Sequence, residues 1–179
     1  LPEEEILDLC DAHSAVLEVR VDLSALKPVV EGHPVDVFRK ENEEIRKLSN
    51  AIFALISEIN RETEADISDK ITKLRGLFNT LFDVDKHYQR KEYLLFPYLE
   101  KAGITGPPKV MWGKHDEIRD LIKGSIEVLQ TTEMTNEEFG AVAEIVLTIA
   151  ATAAKEMITK EEEILFPMSL DVLTEADWY

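Results

Sequence analysis

The segment HYQRKEYLLFP at residues 87–97 recurs later in the chain as MITKEEEILFP at residues 157–167. Both copies end in Leu-Phe-Pro, so the second segment repeats the frame of the first. The residues able to carry chemistry differ, because His87 is replaced by Met157 and Lys91 by Glu161. The repeat therefore indicates two equivalent helix ends that present different side chains.

Apolar residues around these segments recur at spacings of three and four, which predicts amphipathic helices. We expect helices over residues 3–19, 34–61, 66–100, 108–130 and from Thr135 or Asn136 to about residue 170, with no strand. Pro34 suits the first position of its helix, and Pro97 and Pro167 should kink or stop theirs. Four long helices with short connections predict an all-α, up-down-up-down antiparallel four-helix bundle over residues 33–172. Residues 1–32 would then form an additional helix and an irregular connection that pack on the bundle.

The composition restricts the classes of partner. A formal net charge of −16 in 179 residues argues against nucleic acid and anionic membranes. A single cysteine excludes an internal disulfide framework and fits a reducing cytoplasm. No apolar run approaches the ~18 residues of a membrane span. We therefore expect a cytoplasmic protein with an acidic surface.

Each long apolar stripe carries a polar interruption. The interruptions are Asn42, then His87 and Lys91, then His115, and finally Glu161, which follows Met157 by one turn. Antiparallel packing brings these positions to one end of the bundle, where unpaired burial would cost several kcal/mol each. We expect them to pair with one another or with a bound species.

The two glutamates that follow this layer, Glu92 and Glu162, are expected elsewhere. Each lies five residues beyond His87 or Met157, which is about 140° round a helix of 3.6 residues per turn. We therefore predict that Glu92 and Glu162 do not point inward.

The two Leu-Phe-Pro segments, together with HDEIR at residues 115–119, resemble the hemerythrin-like, cation-binding (HHE) family over residues 33–170. The stretches GHPVDVF, RKEYLLFPYLEK and GPPKVMWG are similar to one prokaryotic subfamily in which a PAS sensor domain often follows. The resemblance implies a four-helix bundle that holds two irons and serves oxygen carriage, oxygen, nitric oxide or iron sensing, or iron–sulfur repair.

Carried onto this chain, the family's ligand pattern is largely rewritten. The positions that match ligands are His87, His115 and Glu161, and they are the candidate metal residues. Histidine positions of the family fall on Asn42, Arg119 and Met157, and a glutamate position falls on Lys91. A protonated lysine has no lone pair for a metal and repels the ion. We expect no stoichiometric metal, with mononuclear or dinuclear iron as the alternative.

Plainer interpretations compete with each candidate. His87 and His115 are also explained as core histidines hydrogen-bonded to Asn42, Glu161 or Tyr88. Lys91 and Glu161 are predicted to form a buried ion pair. Cys10 and His13 are spaced to bind a metal or haem, although core packing explains them as well.

Two function classes follow from these residues. The first is a non-catalytic sensory, regulatory or ligand-binding module whose partner is a PAS-type domain or a signalling protein. The second is a protein that binds iron or another divalent metal and senses or binds oxygen, nitric oxide or iron. A bound haem and a homodimer are left open by the sequence. No nucleophile–base pair or phosphate loop indicates an enzyme.

Overall fold

The fold is an antiparallel bundle of four long helical rods, seen in a computed structural model that describes residues 28–61, 66–130 and 135–179. Every regular element in these residues is helical, as the sequence predicts. The helix predicted over residues 3–19, with Cys10 and His13, lies outside the described residues. None of the described helices is both long and apolar enough to cross a bilayer.

The first rod is one uninterrupted helix, α1 (Pro34–Ile59). His33 is its N-cap and accepts a hydrogen bond from the Val35 N–H through Nδ1, at 3.1 Å. Pro34 begins the helix, where a missing N–H costs nothing. The buried face of α1 includes two polar positions, Asn42 and Ser49, among apolar residues.

The second rod is interrupted, whereas the sequence predicts a single helix over residues 66–100. It consists of α2 (Ser68–Leu81), α3 (Val84–Arg90), a π-helical segment (Lys91–Leu95) and α4 (Phe96–Lys101). Tight three-residue turns replace α-helical bonding between α2 and α3, where the Asp85 N–H bonds the Phe82 carbonyl. Gly103, at a φ of 85°, then ends the rod in a conformation that suits glycine.

The third and fourth rods complete the bundle. The third is α5 (Gly106–Val128). The fourth consists of α6 (Asn136–Val142), a π segment (Ala143–Leu147), α7 (Thr148–Lys160), a further π segment (Glu161–Leu165) and α8 (Phe166–Val172), and the short α9 (Glu175–Trp178) follows it. Thr135 is the N-cap of α6 and forms a capping box with Glu138.

Both repeated segments contain a π-helical turn immediately before their Phe-Pro pair. The Phe96 N–H donates to the Lys91 carbonyl, and the Phe166 N–H donates to the Glu161 carbonyl, five residues back. Because proline supplies no N–H and its ring crowds the preceding turn, a wider turn relieves both problems. Pro97 and Pro167 therefore change the helical register without stopping the rods.

The four rods form a closed ring around one apolar core. The first and third rods each pack against the second and the fourth. The beginnings of the first and third rods meet the ends of the second and fourth, as expected for antiparallel neighbours. The polar positions Asn42, His87, Lys91, His115 and Glu161 are all buried at this end of the bundle.

Candidate metal centre and its ion-pair network

A charged pair lies in the core where the two repeated segments meet. Lys91 and Glu161 are 0% and 1% exposed, and the Lys91 Nζ donates to Glu161 Oε1. The Lys91 ammonium also lies 4.8 Å from the centre of the Tyr88 ring, at a distance that suits a cation–π contact. The buried ion pair predicted from the sequence is confirmed.

His87 extends this pair toward the first rod. Its Nε2 lies 2.9 Å from Glu161 Oε2, and its Nδ1 lies 2.7 Å from Glu41 Oε2. Carboxylate oxygens only accept hydrogen bonds, so a His87 ring nitrogen that carries a proton donates it to the carboxylate beside it. Arg90 in turn donates to Glu41 Oε1. A continuous chain of hydrogen-bonded side chains therefore joins buried Lys91 to the partly exposed Arg90.

The pKa values of the carboxyl groups reflect these neighbours. Burial by itself raises the pKa of Glu161, but Lys91 and His87 outweigh burial and lower this pKa to about 2. Burial likewise opposes His87 and Arg90 at Glu41, whose pKa is also lowered to about 2. Burial lowers the pKa of Lys91 to about 8 against the opposing effect of Glu161. The neighbours outweigh burial at Glu161, which contacts both Lys91 and His87, whereas burial outweighs the neighbours at Lys91, which contacts one carboxylate.

Glu92 links the second rod to the third. Its Oε1 accepts from His115 Nδ1 at 2.8 Å, and its Oε2 accepts from Arg119 Nη2 at 2.9 Å. Glu92 is 2% exposed, so the prediction that it does not point inward is wrong. The prediction assumed 3.6 residues per turn, whereas the π segment has i→i+5 bonding, which turns Glu92 toward the face of His87.

Glu162 occupies the corresponding position in the second copy and links the fourth rod to the first. Its Oε1 accepts from Asn42 Nδ2 at 3.3 Å, and its Oε2 accepts from Arg46 Nη2 at 3.0 Å. The Glu162 side chain remains 25% exposed, so it lies at the edge of the core. Each glutamate thus accepts hydrogen bonds from two side chains one helical turn apart. For Glu92 these are His115 and Arg119, and for Glu162 they are Asn42 and Arg46.

Arg119 has further partners, because its Nε and Nη1 donate to Asp85 and Asp116 at 2.6 and 2.7 Å. Burial lowers the pKa of Arg119, but the hydrogen bonds to Glu92, Asp85 and Asp116 outweigh burial and raise this pKa above its ordinary value. Arg119 therefore supplies a fixed positive charge to Glu92. No lone pair is available on this side chain for a metal.

His115 and Tyr88 carry unused polar atoms in the core. Burial lowers the pKa of His115 to about 4 although Glu92 opposes the shift, so the ring is neutral near pH 7. Its Nδ1–H donates a hydrogen bond to Glu92, so Nε2 of the neutral ring carries a lone pair. Among the described residues, the buried His115 Nε2, Tyr88 hydroxyl and Asn42 Oδ1 have no hydrogen-bond partner. The Tyr88 and His115 rings stack at 4.0 Å.

The structure thus brings the predicted site residues to one end of the core but divides them among separate contacts. His87 and Glu161 contact each other, as the core-histidine interpretation expects. His115 contacts Glu92 instead of Asn42, Glu161 or Tyr88 through its hydrogen bond. Met157 is buried in the apolar core beside the charged layer.

The sequence did not mark Glu41 as a network residue, and it predicted that Glu92 and Glu162 point away from the core. Glu41 adjoins Asn42, and its neighbours in sequence gave no pattern that marks it as buried. Glu92 and Glu162 could have been found from the prolines, because a wider turn before each Phe-Pro pair changes which residues face inward.

These side chains do not fit a di-iron centre. Both nitrogens of His87 and both oxygens of Glu161 are already bonded, and an ammonium lies beside them. In the described part of the chain, no group of three or more His, Cys, Asp and Glu side chains is placed to hold a metal ion. A metal with several ligands would need lone pairs that converge. In this layer, His115 Nε2 is a buried ring nitrogen with an unbonded lone pair, and one such atom does not supply several converging ligands.

The four rods form an antiparallel four-helix bundle, an architecture in which side chains on facing helices can build a metal site in the core. The family model described as "Hemerythrin HHE cation binding domain" matches residues 33–169, and the chain belongs to this family. No curated protein is significantly similar to the chain. The family is a cation-binding one, and its model spans all four rods.

Proposed function

We propose that this chain is a hemerythrin-like module with a degenerate metal site, acting as a non-catalytic sensory, regulatory or ligand-binding domain. The observation that supports the proposal is the Lys91 ammonium, fully buried and bonded to Glu161. Lys91 supplies a positive charge inside the ring of rods. The charge that a cation would bring to this layer is therefore already provided by a side chain.

The energetics favour keeping this pair closed. Removing one partner of a buried ion pair leaves an uncompensated charge and costs several kcal/mol. A cation that approached Glu161 would have to displace Lys91 and would be repelled by it at close range. The proposed module therefore holds its charged core together without a bound ion.

The proposed partner is a PAS-type domain or a signalling protein that contacts the fourth rod and responds to a change in its conformation. Glu161 and Glu162 lie on this rod, in the π segment between α7 and α8. A change in the core could reach α8 through this segment, since π turns inside helices frequently mark functional positions. In the proposed module, the fourth rod transmits the change in the core to the partner.

One observation favours a second candidate, a protein that binds iron or another divalent metal through a reduced site of His87, His115 and Glu161. His115 presents an unbonded Nε2 while Glu92 fixes its Nδ1 proton. A histidine that binds a metal through one ring nitrogen frequently donates the proton of its other ring nitrogen to a carboxylate. This candidate requires that Lys91 leave the core, because Glu161 is otherwise occupied.

Metal content separates the two candidates. The protein is purified without added metal, loaded anaerobically with Fe(II), exposed to air, and followed by elemental analysis and the visible spectrum. We expect no stoichiometric iron and a flat spectrum. Near-stoichiometric iron that is lost in both His87→Ala and His115→Ala would establish the metal-binding candidate and overturn the proposal. Lys47→Ala, at an exposed residue, is the control for non-specific binding to the acidic surface.

A further inference from the structure

The fourth rod presents an apolar ridge to solvent, formed by Ile145 and Ile149. Ile145 is 65% exposed and Ile149 is 47% exposed. The two residues are four apart, which places them on one face of the rod. Single exposed apolar residues are ordinary on a protein surface, but neighbouring ones on one face favour a contact with another apolar surface. We call this surface the isoleucine ridge.

The backbone beneath the isoleucine ridge contains a wide turn that proline does not explain. Ile145 lies in the π segment Ala143–Leu147, where the Thr148 N–H donates to the Ala143 carbonyl five residues back. The other two π segments precede a Phe-Pro pair, but α7, which follows this one, contains no proline. Because π turns inside helices frequently lie at functional positions, this turn supports a binding role for the ridge.

Negative charge is concentrated on the rod that carries the isoleucine ridge. Residues 135–179 contain ten acidic residues and two lysines, whereas residues 28–61 and 66–130 together contain sixteen acidic and sixteen basic residues. Glu144 and Glu156 are both exposed, one just before the ridge and the other two turns beyond it. The excess negative charge of the described residues therefore comes from the fourth rod and the residues that follow it.

The lysine nearest to the isoleucine ridge is turned toward the first rod. The Lys155 Nζ donates to Asn50 Oδ1 at 3.2 Å and lies 5.9 Å from the centre of the Phe53 ring, and both partners belong to α1. The other lysine of this rod, Lys160, is the last residue of α7. The acids beside the ridge therefore set the sign of its charge.

This charge selects among the possible occupants of the ridge. Two copies of the chain joined through their ridges would bring Glu144 and Glu156 of one copy close to the same residues of the other, and juxtaposed like charges oppose binding. Acidic residues beside an apolar helical seam instead favour a partner helix with lysine or arginine at its flanking positions. The chemistry of the ridge thus matches a basic amphipathic helix.

We propose that the isoleucine ridge binds an amphipathic helix of a partner protein, whose apolar side carries lysine or arginine residues along its edges. This inference rests on the proposed function in one point, namely that a partner contacts the fourth rod. The helix α7 runs without interruption from Thr148 to Lys160, and Glu161 follows it directly. A partner helix on the ridge therefore contacts the same rod that supplies Glu161 to the buried ion pair.

A synthetic peptide tests this surface. The probe is a fluorescein-labelled helix of leucine and lysine in which all leucines lie on one side. One control peptide has the same composition in a shuffled order without an apolar side, and the other replaces every lysine of the probe by glutamate. Binding to the full chain is followed by fluorescence anisotropy. We expect the probe to bind at least about tenfold more tightly than either control peptide.

Paired substitutions locate the binding. Ile145→Gln together with Ile149→Gln removes the apolar ridge without a change of charge and should weaken binding of the probe at least about tenfold. Val37→Gln together with Leu94→Gln is the matched control, because these residues are 43% and 64% exposed on the first and second rods. We expect this control to bind like the parent. Circular dichroism reports whether each variant keeps its helical fold.

A second pair of variants tests the charge. Glu144→Gln together with Glu156→Gln should weaken binding at least about threefold and reduce its dependence on salt. Glu44→Gln together with Glu117→Gln changes the net charge equally at exposed positions of the first and third rods. This control should bind like the parent, which separates a local effect of the acids from the overall charge of the protein.

Three results overturn the proposal. The first is a parent protein that does not prefer the probe to both control peptides. The second is an equal effect of the ridge variants and their matched controls. The third is a dimer of the parent, seen by analytical ultracentrifugation, that is lost in Ile145→Gln with Ile149→Gln, since a second copy would then cover the ridge. Stoichiometric iron would overturn the proposed function but would not alter probe binding, so the two failures can be told apart.

Discussion

Lys91 and Glu161 occupy equivalent positions in the two repeated segments and contact each other in the core. The residues after them, Glu92 and Glu162, are equivalent too, and each binds a neighbouring rod through a residue and an arginine one turn apart. The bundle therefore keeps an approximate internal symmetry in its connections. The central pair breaks this symmetry in charge, since one copy supplies the cation and the other the anion.

Replacing Lys91 by methionine removes the cation and leaves Glu161 buried with His87 as its remaining partner. We expect Lys91→Met to lower the free energy of unfolding by about 3 kcal/mol or more, because half of a buried ion pair is uncompensated. Urea denaturation at neutral pH measures the change. Lys47→Met, which removes an exposed pair with Glu44, should cost less than about 1 kcal/mol. Equal stability of Lys91→Met and the parent would contradict a buried pair.

The Tyr88 hydroxyl is buried and has no hydrogen-bond partner among the described residues. Tyr88→Phe keeps the ring that stacks on His115 and contacts Lys91, and it removes a polar atom that gains nothing from burial. We expect a variant more stable than the parent, or less stable by no more than about 1 kcal/mol. Thermal denaturation followed by circular dichroism reports the difference. A clear loss of stability would show that the hydroxyl is bonded in solution, for example to a buried water.

The free energy of unfolding should decrease below neutral pH in a way that depends on His115. Its pKa is about 4 in the folded protein and 6.5 in the reference state, because burial disfavours the charged ring. The unfolded chain therefore takes up a proton at higher pH than the folded one. The resulting stability is present above pH 6.5 and is lost as the pH falls toward 4.

A comparison of two pH values tests this dependence. Between about pH 7.5 and 5 we expect the parent to lose about 2 kcal/mol more than His115→Asn, which can still donate to Glu92 but does not titrate. Urea denaturation at each pH measures the loss. His33, whose pKa is also lowered, contributes equally to both proteins. Parallel profiles for the two proteins would show that His115 is not buried as a neutral ring.

The bundle and much of its polar layer could be predicted from the sequence, because helical periodicity reports directly which residues are buried. The Lys91–Glu161 pair follows from the same periodicity once two charges fall on facing stripes. The position of Glu92 could not be obtained in this way, since a π turn changes the period where Pro97 interrupts normal bonding. Glu41 was missed because it is partly exposed and its burial depends on His87 and Arg90, which come from a different rod.

Asn42, Lys91 and Met157 lie at positions where the resemblance to the family implies metal ligands. If the charged pair replaces a bound cation, restoring the family's donors should restore metal binding. Asn42→His, Lys91→Glu and Met157→His together supply two imidazoles and a carboxylate from the first, second and fourth rods, at the end of the bundle that holds His87, His115 and Glu161. Without metal, the triple variant should be less stable than the parent, since Lys91→Glu exchanges the ammonium for a carboxylate and leaves Glu161 opposite a like charge.

Titration with Zn(II) and with Fe(II) under anaerobic conditions measures this gain. We expect the melting temperature of the triple variant to rise with metal concentration, as binding to the folded state alone requires, while that of the parent stays constant. The double variant Asn42→His and Met157→His, which keeps Lys91, separates the effect of the ammonium from that of the missing imidazoles. Equal metal stabilisation of the double and triple variants would mean that Lys91 does not block the site, and the role assigned to the ion pair would then be wrong.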